Sequence, residues 1–474
     1  LKSPYFNKKS AVPLLFSEIE KHYPELSSPE LEKEKLWAKL YPGKEYNYGM
    51  MKNLIHGLTK LAEQFITQEE YRQNEIQEFK NLYLGLSRRK LRNVLDSKNV
   101  QVSKKFSDIK KESPVTINEF YTQLSKINET CLWNEYIVNQ QNDLMPSILN
   151  LKDNFVTGIF SYMINVHYQA KVLVMTDENR AVGAHLLEAM LESLPEDEME
   201  KSLCELRERS EVKYRILNCY YLAYKATTNT TDPGSYLKFK EFFMSNFDTL
   251  PYHCLKDMDT YLVDSLSFLV DPGFDKRDEF FRLHEFRLKN DLIKDRENQL
   301  NSYQFVPWMF LYLDDNNTIG FKEYVDHCRR YLIDEDSEAA LLFAEAFECF
   351  LIGDYGKAIS KSSKINFREV ILKNILRKFI LMVYYELDDY EGYVMAFDAH
   401  KHFLSYGDWA KKGWIEHYIK KTKIFGGLIE KLFKARERSE NSYTELLEKE
   451  IKSTNIDNEK WFLRKVNELK KSSD

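Results

Sequence analysis

Apolar residues along this chain recur three and four positions apart, the spacing that lines one face of an α-helix. Met51, Leu54, Ile55, Leu58, Leu61, Ala62 and Phe65 form one such stripe and predict a helix from about Tyr48. An earlier stripe, Leu14, Leu15, Phe16 and Ile19, predicts a helix over 11–22. Ser28-Pro29-Glu30 reads as a helix start, with Ser as N-cap and Pro at the first helical position. That helix should stop at Tyr41-Pro42-Gly43. Further helical segments are expected over 69–86, 117–138, 145–175, 180–194, 197–226 and 235–247.

The breaks between later stripes keep a rhythm. Asp232-Pro233-Gly234 and Asp271-Pro272-Gly273 are followed by turns at Thr318-Ile319-Gly320, Gly353-Asp354-Tyr355 and Asp388-Asp389-Tyr390. The intervals are one helical hairpin long, the signature of a repeat array. The chain is therefore expected to be all-α: an α-solenoid of antiparallel helical hairpins behind a small N-terminal helical domain. The expected segments are 1–112, 113–403 and 404–474, the first boundary set by Ser113-Pro114 and the last segment acting as a charged cap.

The stretch 339–372 is the most regular. Ala346, the turn Gly353-Asp354-Tyr355 and Ala358 stand where small residues and an inter-helix turn fall in the tetratricopeptide repeat (TPR) family. The next copy keeps Asp389-Tyr390 and Phe397, with Tyr393 where alanine is usual. Over 315–403 the chain resembles that family, which implies stacked helix pairs with a concave face holding a peptide or partner protein. Ser3–Asn7, Leu40-Tyr41-Pro42-Gly43 and Leu58 to Phe65 resemble a group of uncharacterised bacterial helical proteins, and that likeness implies no activity.

Composition narrows the picture. Only 16 glycines and 12 prolines in 474 residues leave too few tight turns for a sheet protein. The net charge of −6 gives no global reason to expect nucleic acid or an anionic membrane. Its distribution is uneven: residues 1–112 carry 21 Lys/Arg against 15 Asp/Glu. Six scattered cysteines without a CxxC pair read as reduced core residues of a cytoplasmic protein. No apolar run approaches 18 residues, so no membrane span is expected.

The chemical inventory is thin. No phosphate-binding glycine motif is present. His284-Glu285 begins like a zinc-protease helix, but Leu288 stands where the second histidine is needed. Asp315 to Gly320 fails as a calcium loop because Ile319 occupies a ligand position. His400 and His402 lie two apart and diverge on a helix, reading as surface residues. No catalytic residue, metal or cofactor is expected, which leaves a non-enzymatic interaction scaffold. Phe343 and Phe347, with Lys378, Met382 and Tyr385 in the next copy, are the candidate partner-binding residues. They are most simply core; partly exposed, they would form an apolar groove with a basic edge suited to an amphipathic or acidic peptide.

The alternative is a nucleic-acid-binding regulator using residues 30–111, with the repeats as sensor. The helices around Pro42-Gly43 loosely resemble those of winged-helix activators. Arg88, Arg89, Lys90 and Arg92 would contact phosphates. The bland reading of this run is a solvated helix face followed by a basic linker.

Overall fold

The computed structural model describes residues 10–473 apart from 25, 114, 139–143, 177–184, 272, 296, 314–316, 407–413, 439–440, 455 and 457. Among the described residues the secondary structure is helical, without a strand, and a lone bridge joins Leu300 to Leu332. No helix among them is long and apolar enough to cross a membrane. The chain divides into two compact units, residues 1–160 with 251–253, and residues 161–250 with 254–474.

The first unit opens with helices Ala11–Glu20, Lys33–Leu40 and Tyr48–Gln73. They enclose a small core of Val12, Leu15, Leu36, Trp37, Met51 and Leu54. The Trp37 indole N–H donates to the Lys44 carbonyl at 3.1 Å, so the tryptophan buries its body without orphaning its donor. Tyr48–Gln73 runs through the expected start at Glu69. The break falls at Asn74, whose side chain caps the next helix, Glu75–Arg88, by accepting from the Gln77 N–H at 3.0 Å. Arg92–Lys105 is helical where a linker was the simpler reading. Ile117–Val138 has the bounds its periodicity predicts and packs on Glu75–Arg88. That packing carries the first unit past the expected boundary at 112.

The second unit is built from neighbours in sequence packed on one another. Glu196–Arg209 and Glu211–Thr228 replace a single expected helix, because Ser210 leaves the helical conformation and caps the second. Asp232 caps Pro233–Asn246 through the N–H groups of Gly234 and Ser235, as the Asp-Pro-Gly signal predicts. Ser337–Leu351 turns into Tyr355–Ser362 at Gly353, whose φ of +81° is open to glycine at little cost. Val370–Glu386, Tyr390–Tyr406, Trp414–Arg438, Asn441–Ser453 and Glu459–Ser473 follow.

One core runs through this part and does not stop at 403. Phe343, Phe347 and Phe379 share it with Phe425, Leu432, Trp461 and Phe462. The docking of the Trp461-Phe462 segment is explicit. The Trp461 indole donates to Glu386 at 3.0 Å, and Lys465 pairs with the same carboxylate at 2.9 Å with both side chains buried. At Gly426 two helices come so close that an added Cβ would overlap the Phe397 ring. The Tyr393 hydroxyl donates to the Gly426 carbonyl there at 2.7 Å.

Candidate functional site

The five residues expected to face a partner are buried. Phe343 and Phe347 pack against Phe379 with ring centres 5.1 and 5.6 Å apart. Met382 lies in the same core, and Tyr385 is held between Phe433 and Trp461. The partner-binding assignment of Phe343, Phe347, Met382 and Tyr385 is therefore corrected: the aromatic stripe fills the space between helices, where burying each ring is worth a few kcal/mol.

Lys378 is different. Although only 7% exposed, it borders a cleft of about 410 Å³ within the second unit. Arg277 comes to that cleft from the first turn of Lys276–Lys289, and Lys421 from Trp414–Arg438. Tyr303, Tyr418 and Phe310 supply rings; Ile371 and Ile375 supply an aliphatic wall. The Phe310 ring meets Phe347 edge to face with ring centres 5.1 Å apart, so one of the expected partner residues supports the cleft without lining it.

The polar wall is organised from behind. Asn374 Oδ1 accepts from His400 Nε2 at 2.8 Å and from the Thr422 hydroxyl at 3.2 Å. With its oxygen taken, Asn374 has its NH2, a donor, left for the cleft. The same bond fixes His400 as the Nε2–H tautomer. Burial, with Arg377 and Lys378 nearby, pulls its pKa down to about 3, so the ring is neutral. His400 is thus a buried positioning group, where the sequence suggested a surface histidine; His402 alone is exposed. Arg277 donates to the Phe310 carbonyl at 2.9 Å, which holds its guanidinium beside the cleft.

A second polar cluster went unnoticed in the sequence. The hydroxyls of Tyr168 and Tyr220 donate to Asp264 and Asp257, and Tyr261 donates to Asn165. Burial raises the Asp264 carboxyl, and the Tyr168 hydrogen bond opposes that rise. These groups satisfy one another inside the unit, as buried polar groups must. His284 belongs to a similar interior arrangement. It bonds the Tyr312 hydroxyl at 3.0 Å, stacks on Trp308, and burial lowers its pKa to about 3. Among the described residues no group of three His, Cys, Asp or Glu side chains could hold a metal.

In the first unit, Arg88, Arg89 and Lys90 are exposed at the C-terminal end of Glu75–Arg88. Arg89 folds back to donate to the Gly85 carbonyl at 3.0 Å. The Arg92 side chain lies outside the described residues. This unit also holds an apolar groove of about 780 Å³ lined by Phe16, Ile19, Leu58, Leu61, Ala62 and Phe65. Phe65 is 65% exposed there, so part of the strongest sequence stripe faces solvent. Gln64, Gln68, Glu69 and Arg72 border the groove.

No protein-family model, no curated protein and no solved structure matches the chain.

Proposed function

We propose that this protein is a non-enzymatic interaction scaffold, in which TPR-like stacked hairpins accompany an N-terminal helical unit that holds a partner protein. The observation that carries the reading is the open apolar groove between Ala11–Glu20 and Tyr48–Gln73, with Phe65 exposed in it. Apolar surface of this kind left uncovered marks an interaction site. Its apolar floor and mixed polar rim suit the apolar face of an amphipathic helix. On this reading the partner surface is Phe16, Leu58, Leu61 and Phe65, exposure at Phe65 and burial of Phe343 and Phe347 supporting the choice. The mutual satisfaction of the buried tyrosines and carboxylates supports a structural role for the groups that would otherwise suggest catalysis.

The nucleic-acid reading has weaker support. Positive side chains at a helix C-terminus are favoured by the helix dipole without any ligand, which accounts for Arg88, Arg89 and Lys90.

A photo-crosslinking amino acid placed at Phe65 of the full chain in its native cells tests the scaffold reading. One discrete protein adduct is expected, lost when Phe16→Glu is added. Absence of any adduct, or substrate turnover by the purified chain, overturns it.

A further inference from the structure

We propose that the open groove of the first unit is one half of a parallel, two-fold helix pair, and that its occupant is the same face of a second copy of this chain. The inference rests on the partner reading and names the partner.

Helix Tyr48–Gln73 is continuous over 26 residues. Along it Met51, Leu58, Phe65 and Arg72 fall every seven residues, with Leu54, Leu61 and Gln68 between them. These are the a and d positions of a heptad, the narrow seam along which two helices wind together. A helix lying on a globular core usually carries a wider stripe. The core of the opening helices covers only the start of this seam. Met51 and Leu54 are buried beside Val12, Leu15 and Trp37; Leu58 and Leu61 are half-buried at its edge, and Phe65 stands mostly in solvent. The stretch left open, 58–72, is about 22 Å or four turns long.

The shape of the groove matches a seam. On this helix its lining falls at a, d, e and g, the positions that a coiled-coil partner touches, with Thr59 the exception. Phe16 and Ile19 of Ala11–Glu20 form the other wall, so two copies would bring four helices together.

The polar positions select a second copy running parallel. In a parallel pair each a and d meets its own counterpart, so apolar Leu58, Leu61 and Phe65 meet apolar residues. Gln68 then meets Gln68, and each amide can donate to the other. Each g faces the e of the partner's following heptad: Gly57 meets Ala62, small against small, and Gln64 offers an amide donor to the Glu69 carboxylate. Running the other way, the helices would set Gln68 against Leu58 and strand its amide. Arg72 closes the seam as a cation at an a position, which fixes register at a cost in stability. It already lies 3.3 Å from Glu69 of its own helix, so the two guanidinium groups do not meet without a carboxylate nearby.

The test is sedimentation velocity of the full chain. A dimer is expected at about 200 μM that parts toward about 10 μM, the weak affinity of a short seam. Phe65→Asp should weaken association at least about tenfold, whereas Phe65→Leu, an ordinary seam residue, should keep it within about threefold. Gln68→Cys should raise the disulfide-linked dimer formed in air at least about fivefold over wild type, because its two copies face each other. Lys60→Cys, exposed and well off the seam, should leave it at the wild-type level. Circular dichroism of each variant establishes that it is folded. A monomer at about 200 μM, a dimer that folded Phe65→Asp leaves intact, or no excess of linked dimer with Gln68→Cys overturns the proposal. A monomeric chain that still yields an adduct with a different protein at Phe65 removes the second copy and leaves the partner reading standing.

Discussion

The opening helices of the first unit and the core of the second solve the same problem with different amounts of apolar material. At the start of the first, helices Ala11–Glu20, Lys33–Leu40 and Tyr48–Gln73 close over a cluster of six buried side chains and leave Leu14, Phe65 and Ile66 exposed. In the second, aromatic rings interlock from Phe305 to Trp461, and Phe343, Phe347, Phe350 and Phe379 all touch ring to ring. Aromatic content therefore does not by itself say where a protein meets its partners. The densest aromatic stripe is interior, and a sparser aliphatic one is partly open to solvent.

The sharpest test of that contrast exchanges one phenylalanine in each unit. Phe347→Ala leaves a void among four rings and should cost about 3–5 kcal/mol in urea unfolding. Phe65→Ser should change stability by no more than about 0.5 kcal/mol, because its ring already faces solvent. Comparable costs at the two positions would abolish the distinction.

Acid should also separate the units. His284 and His400, both in the second, titrate at about 3 when folded, and burial likewise lowers His167. An unfolded imidazole titrates near 6.5. Between those values the unfolded chain binds more protons, so stability is full above about pH 6.5 and falls as pH drops toward 3. Each tenfold weakening of proton binding on folding corresponds to about 1.4 kcal/mol, so the loss reaches several kcal/mol. Hydrogen exchange at pH 7 and pH 5 should show helices 276–289 and 390–406 losing protection; unchanged protection there would refute the buried neutral histidines.

Helix caps set a smaller and more even effect. Asn74→Ala in the first unit and Asp232→Ala in the second should each cost about 1 kcal/mol, because each frees backbone donors at a helix start. Equal costs would locate the difference between the units in packing and not in local helix strength.

Helices were largely legible in the sequence. Ile117–Val138 followed from apolar spacing, and the turns at Gly353 and Asp232 from their capping and glycine chemistry. The break expected before Glu69 falls a few residues later at Asn74, and the one at Ser210 was missed because a single polar residue caps a helix inside an otherwise continuous stripe. Periodicity identified Phe343 and Phe347 as one helix face but could not say what would cover it; Phe310 and Phe379, far along the chain, do. The cleft was beyond reach for the same reason. Arg277, Lys378 and Lys421 are ordinary helix cations until tertiary packing places them around one space.

The contact at Gly426 reaches further than its size suggests. Hydrogen is the only substituent that fits beneath the Phe397 ring, so this residue sets the spacing between Tyr390–Tyr406 and Trp414–Arg438. The first of these helices carries His400 to Asn374, and the second carries Thr422 to the same oxygen and Lys421 to the cleft. A single methyl group here would act as a wedge, disarranging a cleft it never touches.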